Sequence, residues 1–78
     1  MTDPARTPLS PKKLLNTKWT AVRPVNKEKH FLVIAVVEPM PPEAPVVDID
    51  LQAVHSGRVQ RIAWRTLTDA AVWKRGWV

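Results

Sequence analysis

The chain has 78 residues, 45% of them apolar, no cysteine and a net charge of +5. That is room for one small domain, and it excludes disulfides, thiolate metal sites and cysteine nucleophiles. The longest apolar run, Phe31 to Val37, falls far short of the ~18 residues that cross a bilayer, and the amino terminus lacks the apolar core of a signal peptide, so the expectation is a cytoplasmic chain with no membrane contact.

Residues 1–9 carry two prolines and little to bury; they read as a disordered tail before a single domain at 10–78. Ser10-Pro11 starts a helical turn, with Ser as N-cap and Pro at the first helical position. Leu14 and Leu15 are its apolar anchors, and Asn16 ends it. Thr17 to Val22 is aromatic and β-branched and reads as a strand, stopped by Arg23-Pro24 because proline has no ladder donor. Val25 to Glu28 is a polar connector. Lys29 to Glu38 is the strongest strand signal, with apolar residues on both faces, which marks a central strand or a small closed barrel. Pro39 to Pro45 holds four prolines in seven residues and must be a loop.

Val46 to Val54 alternates, with Val47, Ile49, Leu51 and Ala53 on one face and Asp48, Asp50 and Gln52 on the other. Val59 to Leu67 follows. A two-residue turn at Ser56-Gly57 then sets Leu51 opposite Ile62, Ile49 opposite Trp64, Asp50 opposite Ala63 and Asp48 opposite Arg65. Thr68 caps a short final helix through Arg75, and Gly76 supplies its left-handed stop.

These elements predict a mostly β (α+β) fold: a small, strongly bent antiparallel sheet or SH3-like half-barrel, with an N-terminal helical turn and a short C-terminal helix. The alternative is an open sheet with both helical segments across one face. Four of the five aromatic residues are Trp. Trp64 shares the face of Ile49 and Leu51 and is assigned to the core. Trp73 and Trp77 are four apart and close over one edge. Trp19 is a candidate for stacking on bases.

Catalytic chemistry has almost no support. His30 and His55 form no metal pair with a carboxylate, Ser10 and Ser56 sit in a cap and a turn, and two glycines make no phosphate loop. No cofactor or metal is expected. Charge is uneven: six of the twelve Lys and Arg, but one of the seven acids, lie between Lys12 and His30, so the whole net charge sits there. Such a segment suits a polyanion.

Pro11-Lys12-Lys13-Leu14-Leu15, Lys18-Trp19-Thr20-Ala21-Val22 and Asn26 to Phe31, with Trp64, Leu67 and Trp73 to Trp77, resemble a family of small tryptophan-rich bacterial proteins of unknown function. The resemblance implies a bacterial origin and brings no catalytic residues. The expected function is therefore a non-enzymatic binding module. Its candidate nucleic-acid surface is Lys12, Lys13, Lys18, Trp19, Arg23, Lys27, Lys29 and His30. The alternative is a protein–protein adaptor using an edge strand, the proline loop or the C-terminal Trp corner.

Overall fold

A computed structural model describes residues 10–78; the expected tail at 1–9 lies outside them. Five antiparallel strands form one open sheet: β1 (Lys18–Val25), β2 (Glu28–Val36), β3 (Asp48–Ala53), β4 (Val59–Ala63) and β5 (Trp73–Arg75). Their order is β4-β3-β2-β1-β5. Four strands follow one another as a meander. The chain then crosses to the far edge, and β5 pairs with β1. This is the connectivity of an SH3-like half-barrel, left unclosed. Two short 3-10 turns, Pro11–Lys13 and Trp64–Thr68, complete it.

One face of the sheet carries the core: Leu14, Trp19, Phe31, Val33, Ile49, Leu51, Ala53, Leu67 and Trp73. Burying each of the larger side chains contributes about 1.5–3 kcal/mol, and the Ala53 methyl about 0.8 kcal/mol. Phe31 and Trp73 meet edge to face at 5.0 Å. The first 3-10 turn forms where Ser10-Pro11 predicts it, although the Ser10 side chain makes no capping bond. It anchors through Leu14 alone, since Leu15 is exposed. The 3-10 turn ends at Lys13 with Leu14 as its cap, earlier than expected, and Asn16, at φ 67°, lies in the turn that follows.

β1 runs through Pro24 instead of stopping there. The β1–β2 register shifts between Thr20 and Val25, so Pro24 lies in an irregular stretch where its missing N–H costs no ladder bond. The expected connector is a two-residue turn at Asn26-Lys27, with φ of 56° and 63°. Positive φ at both positions is the type I′ signature, whose twist matches the strands it joins.

β2 is not buried on both faces. Val33 pairs with Leu51, but Ala35 pairs with Asp50, so Ile34 is an extra residue. The bulge exchanges the faces. Phe31 and Val33 point to the core before it, Val36 packs against the core after it, and Ile34 is exposed. Two apolar faces in sequence therefore reflect one core-facing row that switches parity.

The β3–β4 register differs from expectation by two residues. Asp48 lies opposite Ala63, Ile49 opposite Ile62 and Asp50 opposite Arg61. An even shift preserves the faces. The loop is longer than two residues: Gly57 N–H donates to the Ala53 carbonyl at 2.8 Å, and Ala53 N–H to that of Arg58 at 2.9 Å. Arg61 meets Asp50 at 2.9 Å. Arg65 does not reach Asp48 but lies over the Trp64 ring at 5.2 Å.

β4 ends at Ala63, not Leu67. The ladder ends with Trp64 N–H donating to the Val47 carbonyl at 2.9 Å. The chain coils instead, and the second 3-10 turn buries Leu67. Trp64 is only partly buried against the core; its indole N–H donates to the Val46 carbonyl at 3.0 Å.

The expected C-terminal helix is absent. Asp69 organises a turn: its side chain accepts from Ala71 N–H at 3.0 Å, and its carbonyl accepts from Val72 and Trp73. A seven-residue helix is too short to stand alone. The open edge of β1 gives Trp73–Arg75 a ladder and buries Trp73. Gly76 has the left-handed φ expected of it, 85°, but it follows a strand.

Candidate functional site

Paired residues share a face of a sheet. The pairs Lys18–Leu32, Thr20–His30 and Thr20–Lys74 therefore place these five residues together on the face opposite the core. The last two residues fold back across that face. Thr20 is the pivot: its hydroxyl donates to the Gly76 carbonyl at 2.6 Å and accepts from Val78 N–H at 3.1 Å. Trp77 donates its indole N–H to the Phe31 carbonyl at 2.9 Å. His30 Nε2 lies 2.9 Å from the Val78 carbonyl.

Trp77 is thereby held against the sheet yet stays 42% exposed. Its ring lies 6.0 Å from His30, and the Lys18 ammonium is 4.7 Å from its centre. A cation over an indole face gains from the ring quadrupole. The result is a flat aromatic platform with Lys18 and Lys74 on the same face.

The candidate basic residues do not form one patch. Lys18 and His30 come together at Trp77. Lys12 and Lys13 are exposed on the first 3-10 turn, and Lys12 lines a cavity of about 410 Å³ between that turn, the proline loop and Trp64. Lys27 is at the tip of the β1–β2 hairpin, with β1 between it and Lys18, roughly 20–25 Å of extended chain. Lys29 is exposed on β2. Trp19 is unavailable for stacking: it is 3% exposed, its indole N–H donates to Thr17 Oγ1 at 2.9 Å, and Arg75 lies 5.9 Å from its ring. Trp77, which the sequence pairs with Trp73, takes its place: it lies beyond β5, and the chain turns at Gly76, φ 85°, to fold back over the other face.

The core side of the sheet opens into a second feature, a pocket of about 380 Å³ between β1, β2, the Asp69 turn and β4. Ala21, Val25, Phe31, Ala71, Val72 and Trp73 supply its apolar wall; Arg23, Glu28, Arg58 and Gln60 supply its polar groups. Glu28 is 5% exposed. Arg58 grips it through Nη2 at 2.6 Å and Nε at 3.0 and 3.2 Å, and the Ser56 hydroxyl donates to it at 2.5 Å. Hydrogen bonds from Arg58 and then Ser56 lower its pKa to about 2, so it stays anionic and holds the guanidinium in place. The Trp73 indole N–H is buried and makes no hydrogen bond.

Among the described residues no cluster of three or more His, Asp or Glu is placed to hold a metal, and no helix is long and apolar enough to cross a membrane. The molecule is thus a small open β module, with an indole platform on one sheet face and an arginine-rimmed pocket on the other. The chain belongs to the tryptophan-rich protein family DUF2389, a family of unknown function, which matches residues 17–78. The match includes the proline loop and begins after the Pro11–Leu15 stretch that contributed to the resemblance. No curated protein and no solved structure matches the chain.

Proposed function

We propose that this chain is a non-enzymatic module that binds single-stranded nucleic acid on the face carrying Trp77, with little dependence on base sequence. The observation behind this reading is the half-exposed Trp77 ring, anchored by its own N–H and flanked by Lys18 and His30. Such rings stack on any base, at about 1–3 kcal/mol each. Lys18 and Lys74 supply phosphate contacts beside it, and the net charge of +5 adds longer-range attraction.

Fluorescence anisotropy of a labelled oligonucleotide over a salt series tests this. Binding in the micromolar range is expected at low salt, with log K falling by about 0.7 per phosphate contacted. Trp77→Leu weakens binding about tenfold at unchanged salt slope, because stacking is not ionic. Lys74→Gln flattens the slope. No binding at low salt, or a Trp77→Leu protein that binds like the parent, rejects the proposal.

The adaptor reading draws support from β4, which ends the sheet with one unpaired edge and an exposed Val59. Edge strands accept a partner's strand through main-chain bonds. Capture of a partner that survives nuclease treatment and is lost in Arg61→Pro favours this reading over the first.

A further inference from the structure

The pocket on the core side has a chemistry of its own. Its size is that of a site for a small molecule, mostly apolar with a few polar groups. The acceptors and donors in it are unequal. Both oxygens of Glu28, the one carboxylate among its lining residues, are occupied by Arg58 and Ser56. Several donors are not occupied. Arg58 uses Nε and Nη2 on Glu28, which leaves Nη1 without a partner among the described residues, and its side chain is half exposed. Arg23 lines the same pocket and makes no ion pair among the described residues. The Trp73 indole N–H is also unpartnered, but it is closed to solvent and serves the site as a reporter, not as a donor.

A site with spare donors and spent acceptors is complementary to an anion. With Glu28 neutralising Arg58, the lining retains one net positive charge from Arg23. The apolar wall includes the rings of Phe31 and Trp73, which suits a flat hydrophobic body. We propose that this pocket binds a small aromatic carboxylate, its ring against Phe31, Val72 and Trp73 and its carboxylate held by Arg23 and the free side of Arg58. Glu28 acts as a positioning residue, since it fixes the guanidinium and never meets the ligand as an acceptor. This site is separate from the Trp77 platform, which lies on the opposite face.

The probe is 2-naphthoate, with 2-naphthylmethanol as its uncharged counterpart, titrated into the full chain and followed by ¹H–¹⁵N NMR. The four indole N–H groups resolve the two faces. The expected result is one saturable site that moves the Trp73 indole resonance, with the acid bound about tenfold more tightly than the alcohol, the worth of one charge-assisted hydrogen bond. Arg23→Gln, at an exposed position, removes that preference while the chain stays folded. Ala71→Phe fills the pocket and abolishes binding of both probes. Equal affinity for acid and alcohol in the parent overturns the anion assignment. Shifts confined to the Trp77 indole, or unaltered binding by Ala71→Phe, overturn the pocket as the site.

Discussion

Trp73 and Trp77 are four residues apart, yet the structure gives them opposite fates, and their alanine variants should separate clearly. Trp73 is 8% exposed and packs edge to face on Phe31. Its truncation opens a large cavity and should cost about 3–5 kcal/mol. A chain of 78 residues at ~0.05–0.15 kcal/mol per residue has about 4–12 kcal/mol in total, so Trp73→Ala should remove a large share of the stability and lower the urea midpoint sharply. Trp77 loses one hydrogen bond, to the Phe31 carbonyl, worth about 0.5–1.5 kcal/mol. It also loses the burial of roughly half a ring, about another 1 kcal/mol. Trp77→Ala should therefore remain folded, destabilised by about 1.5–2.5 kcal/mol. Urea denaturation followed by far-UV circular dichroism reads both without relying on tryptophan emission. A finer comparison uses phenylalanine. Trp73→Phe gives up no hydrogen bond, whereas Trp19→Phe deprives Thr17 Oγ1 of its donor, which should cost about 0.5–1.5 kcal/mol more. If Trp73→Ala stays within about 1 kcal/mol of the parent while Trp77→Ala unfolds, the inside and outside of the sheet have been assigned the wrong way round.

Glu28 gives a pH test. Its folded pKa, about 2, lies below the ordinary 4.5, so its contribution is complete above pH 4.5 and is lost as pH falls towards 2. The stability gap between the parent and Glu28→Gln should be constant above pH 4.5 and shrink below it; a gap that widens in acid would contradict the ion pair. A double-mutant cycle reports the register: Asp50→Asn and Arg61→Gln should couple, and Asp48→Asn and Arg65→Gln should be additive. Coupling in the second pair alone would restore the two-residue turn. Gly57→Ala should cost about 1 kcal/mol by thermal melting, purely from the backbone, since φ is 76° and an added Cβ meets nothing; an unchanged melting temperature would show that the loop lets φ move.

Much of the sheet is visible in the alternation of apolar residues. Val46 to Val54 shows its faces plainly, and an error of two in register leaves them intact. The Ser10-Pro11 start of the first turn is local chemistry and equally readable. What escapes is whatever depends on a partner far along the chain. The Ile34 bulge exists because β3 pairs across it, and period-2 counting within β2 sees only two apolar faces. Trp73–Arg75 has a helix-like sequence with a cap and a stop, yet β1 claims it. Asn26-Lys27 is legible in principle as a two-residue turn, but Pro24 looks like a strand ending when taken alone, and only the register shift against β2 absorbs it. The candidate site follows the same division. Lys18 and His30 are within the basic stretch, whereas Trp77 and Lys74 join them only through β5, and Arg58 meets Glu28 across 30 residues.

The pairing of β1 with β5 ties residues 19–21 to 73–75, and this has a bearing on how the protein folds. Any molecule in which the meander of β1 to β4 has formed and β5 has not yet docked passes through an interval with that side of the sheet open. During that interval the outer edge of β1 has no neighbour, and Phe31 lacks the ring that later packs against it. Bare strand edges recruit other chains, and contacts this distant in sequence form late. A chain cut before Trp73 would keep that edge bare, so the residues that make β5 also shield the sheet from other chains.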